Sequence, residues 1–237
     1  MNEKLKKNKN IKHQNIVVCI VAHPDDEALG VGGTLIKHVN LGDKVYVIIM
    51  SDGESAKSIK EDLNKNRKKS ANLWSDFIGC ELYKHYDLPD QKFDTVSRLD
   101  IIKILEEDLL RIKPNIVYTH HPQDLNIDHK LTAEMVLTAL RPMSKVHSCN
   151  TILSFETPSS TDQAPQISPF IFNPNHYVSI KKEWKNKILS LKIYEKEMRN
   201  SPHPRSLKSI EALAIKRGAE SGLELAEAFY IIRNIIN

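Results

Sequence analysis

Ile16 to Val21 is an unbroken apolar run that stops at His23-Pro24-Asp25-Asp26-Glu27. A short run of this kind predicts a strand buried on both faces, as in parallel sheets covered by helices on each side. The polar pentapeptide then falls where strand gives way to helix, the crevice in which open α/β sheets place their ligands. A second cluster, THHPQDLNIDH from Thr119 to His129, follows another buried-strand candidate, Asn115 to Tyr118. Two clusters of histidine and carboxylate at predicted strand ends point to a metal-dependent hydrolase.

Spacing gives the clusters a chemical reading. His23 and Asp26 are three residues apart, so a chain turning from strand into helix can aim both at one point, with Pro24 restricting the backbone between them. With His129 they make a His-Asp-His set, the ligand count of a catalytic zinc whose fourth position is left to water. Asp25 points elsewhere and is a candidate base for that water. Blander readings stand beside these. Asp25 or Asp26 can serve as a helix N-cap, Asp124 can replace one of the ligands, and one of His120 and His121 can be solvated or support a ligand. Arg67 sits in the basic stretch Lys65 to Lys69, where a solvated helix face is the default, and Asp52 suits an Asp-Gly turn. His203 and Arg205 can merely position a Pro-rich connection.

At these residues the chain resembles the LmbE or PIG-L family of zinc-dependent N-deacetylases, which includes deacetylases of mycothiol, bacillithiol and glycosylphosphatidylinositol-precursor synthesis. The family's first motif, AHPDDE, is matched in full by Ala22 to Glu27. The resemblance implies that His23, Asp26 and His129 bind zinc, that Asp25 is the general base, and that Asp128 precedes the last ligand as in the family. The family's T-D-G-E appears as Ser51, Asp52, Gly53 and Glu54, and its substrate-holding Arg corresponds best to Arg67. SPHPRS at 201–206 and AEAF at 226–229 resemble a sugar-deacetylase-like branch, which adds His203 and Arg205, with His120, to the expected substrate contacts. The resemblance covers about residues 15–235.

One departure bears on mechanism. Many relatives carry a histidine three residues before the last ligand, where this chain has Asn126. An amide can donate to an oxyanion but cannot shuttle a proton, so the proton for the leaving amine falls to Asp25, His120, His121 or His203. The implied reaction is hydrolysis of an acetamide on an N-acetylglucosamine-type conjugate, releasing acetate and a free amine. Two alternatives remain: the same ligands describe the facial triad of Fe(II) oxygenases, or hold another divalent metal, and a non-catalytic sugar-binding protein can retain such a site.

Composition sets the frame. With 237 residues, 41% of them hydrophobic, the chain is long enough for one α/β domain, expected over 15–237. The net charge of +4 matches that of the first twelve residues alone, so a flexible basic tail is expected over 1–14 and a nearly neutral body after it. No basic patch interleaved with aromatics suggests nucleic acid, and no apolar stretch suggests a signal peptide or stable membrane insertion. The cytoplasm is the simplest location, and a homo-oligomer is compatible with the sequence. Cys19, Cys80 and Cys149 are odd in number and lack CxxC spacing, which predicts neither disulfides nor a thiolate metal site.

Strand and helix patterns alternate along the chain. Strands are expected at 16–21, 44–50, 81–85, 115–118 and 151–155, and helices at 28–40, 59–78, 99–112 and 128–140. A polar, Pro-rich segment, 157–175, suggests a rim or lid, followed by helices at 181–198 and 206–221, with 223–236 an edge strand or helix. The pattern predicts a Rossmann-like three-layer sandwich with a mostly parallel sheet and the metal site at the C-terminal ends of strands 1 and 4. GVGG at 30–33 lacks the spacing of a dinucleotide fingerprint and reads as close helix packing.

Overall fold

Strand β1 (Ile16–Val21) is the middle of the sheet that organises the protein, and no residue of it from Val17 onward is exposed. The computed structural model describes residues 14–51, 53, 63–146 and 148–236. Around β1 lie β2 (Lys44–Ser51), β3 (Glu81–Leu88), β4 (Ile116–His120), β5 (Thr151–Phe155), β6 (His176–Ser179) and β7 (Ala226–Asn234), in the order β3-β2-β1-β4-β5-β7-β6. The first five are mutually parallel, and β7 and β6 are added antiparallel. Val17 of β1 pairs with Val45 of β2 on one side and Ile116 of β4 on the other. The chain winds outward in opposite directions from β1 and β4, so the loops leaving these two strands part and open a crevice between them.

Alternate residues of β1 feed two separate cores, as the period of two in a strand requires. Val17, Cys19 and Val21 join Leu35 of helix α2 (Gly32–Leu41), Trp74 of α3 (Leu63–Ile78) and Leu191 of α6 (Trp184–Leu191). Val18 and Ile20 pack with Leu105 and Leu109 of α4 (Arg98–Ile112) and Met135 and Val136 of α5 (Ile127–Ala139). Each such aliphatic side chain, fully buried, contributes roughly 1.5–3 kcal/mol. The result is the mostly parallel three-layer sandwich that the sequence predicts.

Several elements differ from expectation for identifiable reasons. The helix expected over 28–40 is two helices, α1 (Asp26–Gly30) and α2, broken at Val31. A Cβ on Gly30 would lie 2.3 Å from the Phe155 ring, and the break turns the amides of Gly33 and Thr34 toward the Glu227 carboxylate at 2.8 and 2.7 Å. Glu227 in turn pairs with buried Lys187. The helix N-terminus that a phosphate would occupy thus holds an internal anion. The segment 223–236 supplies β7, which is not an edge: four-residue β6, unforeseen, covers it. The helix expected over 181–198 shortens to α6 and a 3₁₀ turn at Lys192–Tyr194, whereas α7 (Leu207–Ser221) fills most of its expected span. All of the expected tail but Gln14, together with Asp52, Glu54 and the start of the helix expected at 59, lies outside the described residues. All three cysteines are free, and no described helix is long and apolar enough to cross a membrane.

Candidate active site

The end of β1 delivers Ala22 and His23 into the crevice, and the chain turns sharply to start α1. The turn is made by Asp25, whose φ of 122° and ψ of −26° are rarely adopted by a residue with a side chain. Three bonds hold it. Its amide donates to Glu27 Oε2 (3.1 Å), its carbonyl accepts from Leu29 N (2.9 Å), and its Oδ2 accepts from Arg205 Nη1 (2.8 Å). The twist separates the two adjacent aspartates, so that Asp26 faces the histidines while Asp25 faces Arg205.

His23 Nδ1, Asp26 Oδ2 and His129 Nε2 converge. The three separations are each 3.3 Å, and all three residues are buried. The partners behind each ring fix which nitrogen offers a lone pair. His23 Nε2 lies 3.1 Å from Asp128 Oδ2 and 3.1 Å from Asp90 Oδ1, and carboxylates only accept, so Nε2 carries hydrogen and Nδ1 is the nitrogen that faces inward and offers its lone pair when the ring is neutral. His129 Nδ1 is 3.3 Å from Asp124 Oδ1, so Nε2 is in the same way the nitrogen that faces inward and offers its lone pair when the ring is neutral. Asp26 Oδ1 is buried with no hydrogen-bond partner among the described residues.

Three lone pairs aimed at one point repel unless a cation sits among them. Ligands about 2.0–2.1 Å from a tetrahedral ion stand roughly 3.3 Å apart, so the triangle has the dimensions of one face of such a site. The carboxylates placed behind both rings are the usual supports of histidine ligands. The donor set therefore fits a divalent ion of the zinc class. Electrostatics agrees: burial alone would lower the His129 pKa, but Asp26 and Asp124 outweigh it and push it up to about 9. His23 is raised well above the usual range despite burial, through Asp128, Asp26 and Asp90. Asp26 is held well below the ordinary aspartate range despite burial, because His129 and His120 surround it.

A second group adjoins the triangle. Burial pushes the Asp25 carboxyl up, and Arg205 and Arg67 pull back only part of that rise. Burial also pushes Glu27 up to about 8, against the Tyr194 hydroxyl that donates to its Oε1 at 2.5 Å. Arg67 Nη1 donates to Gly53 O (2.7 Å) and Arg67 also pairs with Glu197, which lies 3.8 Å from Arg205. Gly53 has a φ of 69°, and a Cβ there would come within 2.5 Å of Arg67 Nη1, so the glycine admits the guanidinium.

Residues 18–140 match the family described as PIG-L, GlcNAc-PI de-N-acetylase. The chain belongs to the PIG-L family. Members of this kind are amide-hydrolysing deacetylases, and two of the proteins it is similar to bear that name. The uncharacterized deacetylase YaiS of Escherichia coli is 26% identical over 173 residues, covering 71% of this chain and 83% of YaiS. The structure of N,N'-diacetylchitobiose deacetylase from Pyrococcus horikoshii, complexed with its inhibitor MPG, superposes with a TM-score of 0.73 at 21% identity, covering 92% of this chain and 83% of that one. GalB, the 4-carboxy-2-hydroxymuconate hydratase of Pseudomonas putida, has the same fold, with a TM-score of 0.74 at 19% identity over 93% of this chain and 98% of its own. The fold is thus shared with a hydratase, and chemistry has to be argued from the residues.

In this PIG-L protein the expected contact residues divide. Arg205 reaches the site through Asp25, and Arg67 adjoins it through Gly53 and Glu197. His203 is half-buried beside them, its Nδ1 accepting from Arg205 N at 3.0 Å. His120 lies elsewhere than expected for a substrate contact. It is fully buried, Nε2 accepts from Ala22 N (2.9 Å), Nδ1 faces Thr157 Oγ1 (3.3 Å), and its ring stacks on His129 with centroids 3.9 Å apart. With both nitrogens engaged and burial lowering its pKa to about 4, it supports His129 from beneath. Asn126 caps α5, its Oδ1 accepting from Asp128 N at 2.8 Å. Asp124, weighed as an alternative ligand, stands on the far side of the His129 ring from the triangle. The sequence reading missed Asp90, Tyr194 and Glu197. Asp90 stands two residues past the end of β3, so the strand-end rule that singled out His23 would have found it.

Proposed function

We propose that this chain is a zinc-dependent N-deacetylase that hydrolyses the acetamide of an N-acetylglucosamine-type conjugate to acetate and a free amine. The observation that carries the reading is the buried triangle of His23 Nδ1, Asp26 Oδ2 and His129 Nε2, 3.3 Å on each edge, with Asp25 turned away from it by one backbone twist. A divalent ion held by these three residues supplies a Lewis acid for the carbonyl and makes water acidic near neutral pH.

The chain's own groups do the rest. Asp25, its basicity raised by burial, takes a proton from the attacking water as the new C–O bond forms. Arg205 fixes the Asp25 carboxylate, and the Glu27 carboxylate fixes the Asp25 amide. The Asn126 Nδ2 amide, whose Oδ1 is committed to the helix cap, donates toward the oxyanion. Asp25 then returns its proton to the nitrogen as the C–N bond breaks, which removes the need for a second histidine at position 126. Because His203 Nδ1 accepts from Arg205 N, its Nε2 carries hydrogen and is a donor for a sugar hydroxyl. The amino-sugar substrate is supported by the family description and by the chitobiose deacetylase likeness.

The test is acetate release from a panel of N-acetylglucosamine conjugates by parent, Asp25→Asn and His129→Ala, after chelation and re-addition of zinc, iron(II) or cobalt. The expected result is turnover restored by zinc in the parent and a loss of about 10²-fold or more in Asp25→Asn. Metal-dependent oxygen uptake without acetate release would overturn the reading in favour of an iron oxygenase.

A further inference from the structure

The segment Thr157-Pro158-Ser159-Ser160-Thr161, one residue after β5, carries four hydroxyls, and each one is bonded toward the site. Thr157 Oγ1 faces His120 Nδ1 at 3.3 Å, and Ser159 Oγ accepts from Arg205 Nε at 2.7 Å. Ser160 Oγ donates to Asp124 Oδ1, and Thr161 Oγ1 donates to Asp124 Oδ2 at 2.5 Å. This stretch was expected to begin a rim or lid. Its Thr157, Ser160 and Thr161 are instead buried, and they wrap the back of the metal-facing histidine.

The direction of these bonds is determined. Thr157 N can only donate, and it donates to Thr161 Oγ1 at 2.7 Å, so the Thr161 hydroxyl accepts there and its own hydrogen goes to Asp124. Asp124 Oδ1 receives Asn126 N (2.9 Å), Ser160 Oγ and His129 Nδ1, whereas Thr161 is the partner of Oδ2 among the described residues. A carboxylate pinned on both oxygens cannot rotate, and a carboxylate that cannot rotate holds an imidazole in one plane and one tautomer.

We propose that Ser160 and Thr161 are positioning residues of the metal centre, fixing Asp124 and through it the His129 ring with its Nε2 aimed at the metal. The proposal rests on the reading of His23, Asp26 and His129 as metal ligands. It gives the hydroxyl-rich segment a task in the site that loop anchoring alone does not require, because Val at 161 preserves the shape of the side chain while removing both bonds.

The experiment measures zinc affinity by competition with a chromophoric chelator, together with the melting temperature of the metal-free protein, for parent, His129→Ala, Ser160→Ala, Thr161→Val and Thr161→Ser. Zinc binding that weakens about 10–100-fold in Ser160→Ala and Thr161→Val, the usual effect of losing an outer support, is the expected result. Thr161→Ser, which keeps the hydroxyl, is expected to bind like the parent. Parental affinity in Thr161→Val, with or without a fall in metal-free stability, overturns the positioning role while leaving the metal site intact. Zinc binding by His129→Ala equal to that of the parent overturns the ligand reading, and this inference with it.

Discussion

On the proposed reading zinc enters the triangle by displacing a proton, and the upward shift of His129 sets how that displacement depends on pH. The His129 ring is pushed up to about 9, so in the metal-free protein at pH 7 it is almost wholly protonated. Metal binds the bare nitrogen. Affinity should therefore rise with pH about tenfold per unit between pH 7 and 9, about a hundredfold in all and near 2.7 kcal/mol, and level off above. His23, also raised, adds to the slope if its inward nitrogen is protonated as well. The linked effect on folding has the opposite sign: a histidine raised from an unfolded value near 6.5 stabilises the metal-free protein fully below that pH and ceases to do so as pH passes about 9. Chelator competition from pH 6.5 to 9.5, with calorimetry in two buffers of different ionisation enthalpy, reads both slope and proton release. At least one proton released per zinc at pH 7 is expected. A flat affinity profile with no release would refute the electrostatic reading of the cradle.

Three other perturbations follow from contacts already described. Gly30→Ala places a Cβ 2.3 Å from the Phe155 ring and should destabilise by about 1–3 kcal/mol or more, seen as a lowered urea midpoint. Lys187→Met leaves Glu227 buried without its cation and should cost about 3–5 kcal/mol, whereas Lys187→Met with Glu227→Gln should cost less; equal losses would argue that the pair is not coupled. Glu27, pushed up to about 8 from an ordinary 4.5, binds more proton when folded, so stability should fall as pH rises between these values. Urea unfolding across that range should show a shallower fall in Glu27→Gln than in the parent.

Much of the scaffold was legible because β1, β2 and β5 are short, mostly apolar and almost wholly buried runs, which admit few other readings. Thr151–Phe155 is the clearest instance, the expected strand and the observed one having the same ends. β6 was not legible: it is four half-buried residues whose only pairing among the described residues is with β7, some fifty positions later. The break at Val31 was hidden for a related reason, since the carboxylate that rewards it comes from Glu227. In the site, the meeting of His23, Asp26 and His129 followed from motif and spacing. The inward turn of His120 could have been read from strand alternation, which sends neighbouring residues to opposite faces. Ser160 and Thr161 gave no such sign, for nothing local to them reveals a carboxylate 36 or 37 residues away.

Glu227 ties the beginning of the chain to its end. During synthesis the first strand and the helices after it leave the ribosome long before residue 227 exists, and until then the amides of Gly33 and Thr34 lack the acceptor that orients α2. A chain cut before Ala226 would keep every proposed metal ligand in its sequence and still lack the carboxylate that fixes the break between α1, which begins with Asp26, and α2, so this helix pair behind the crevice should settle late in folding.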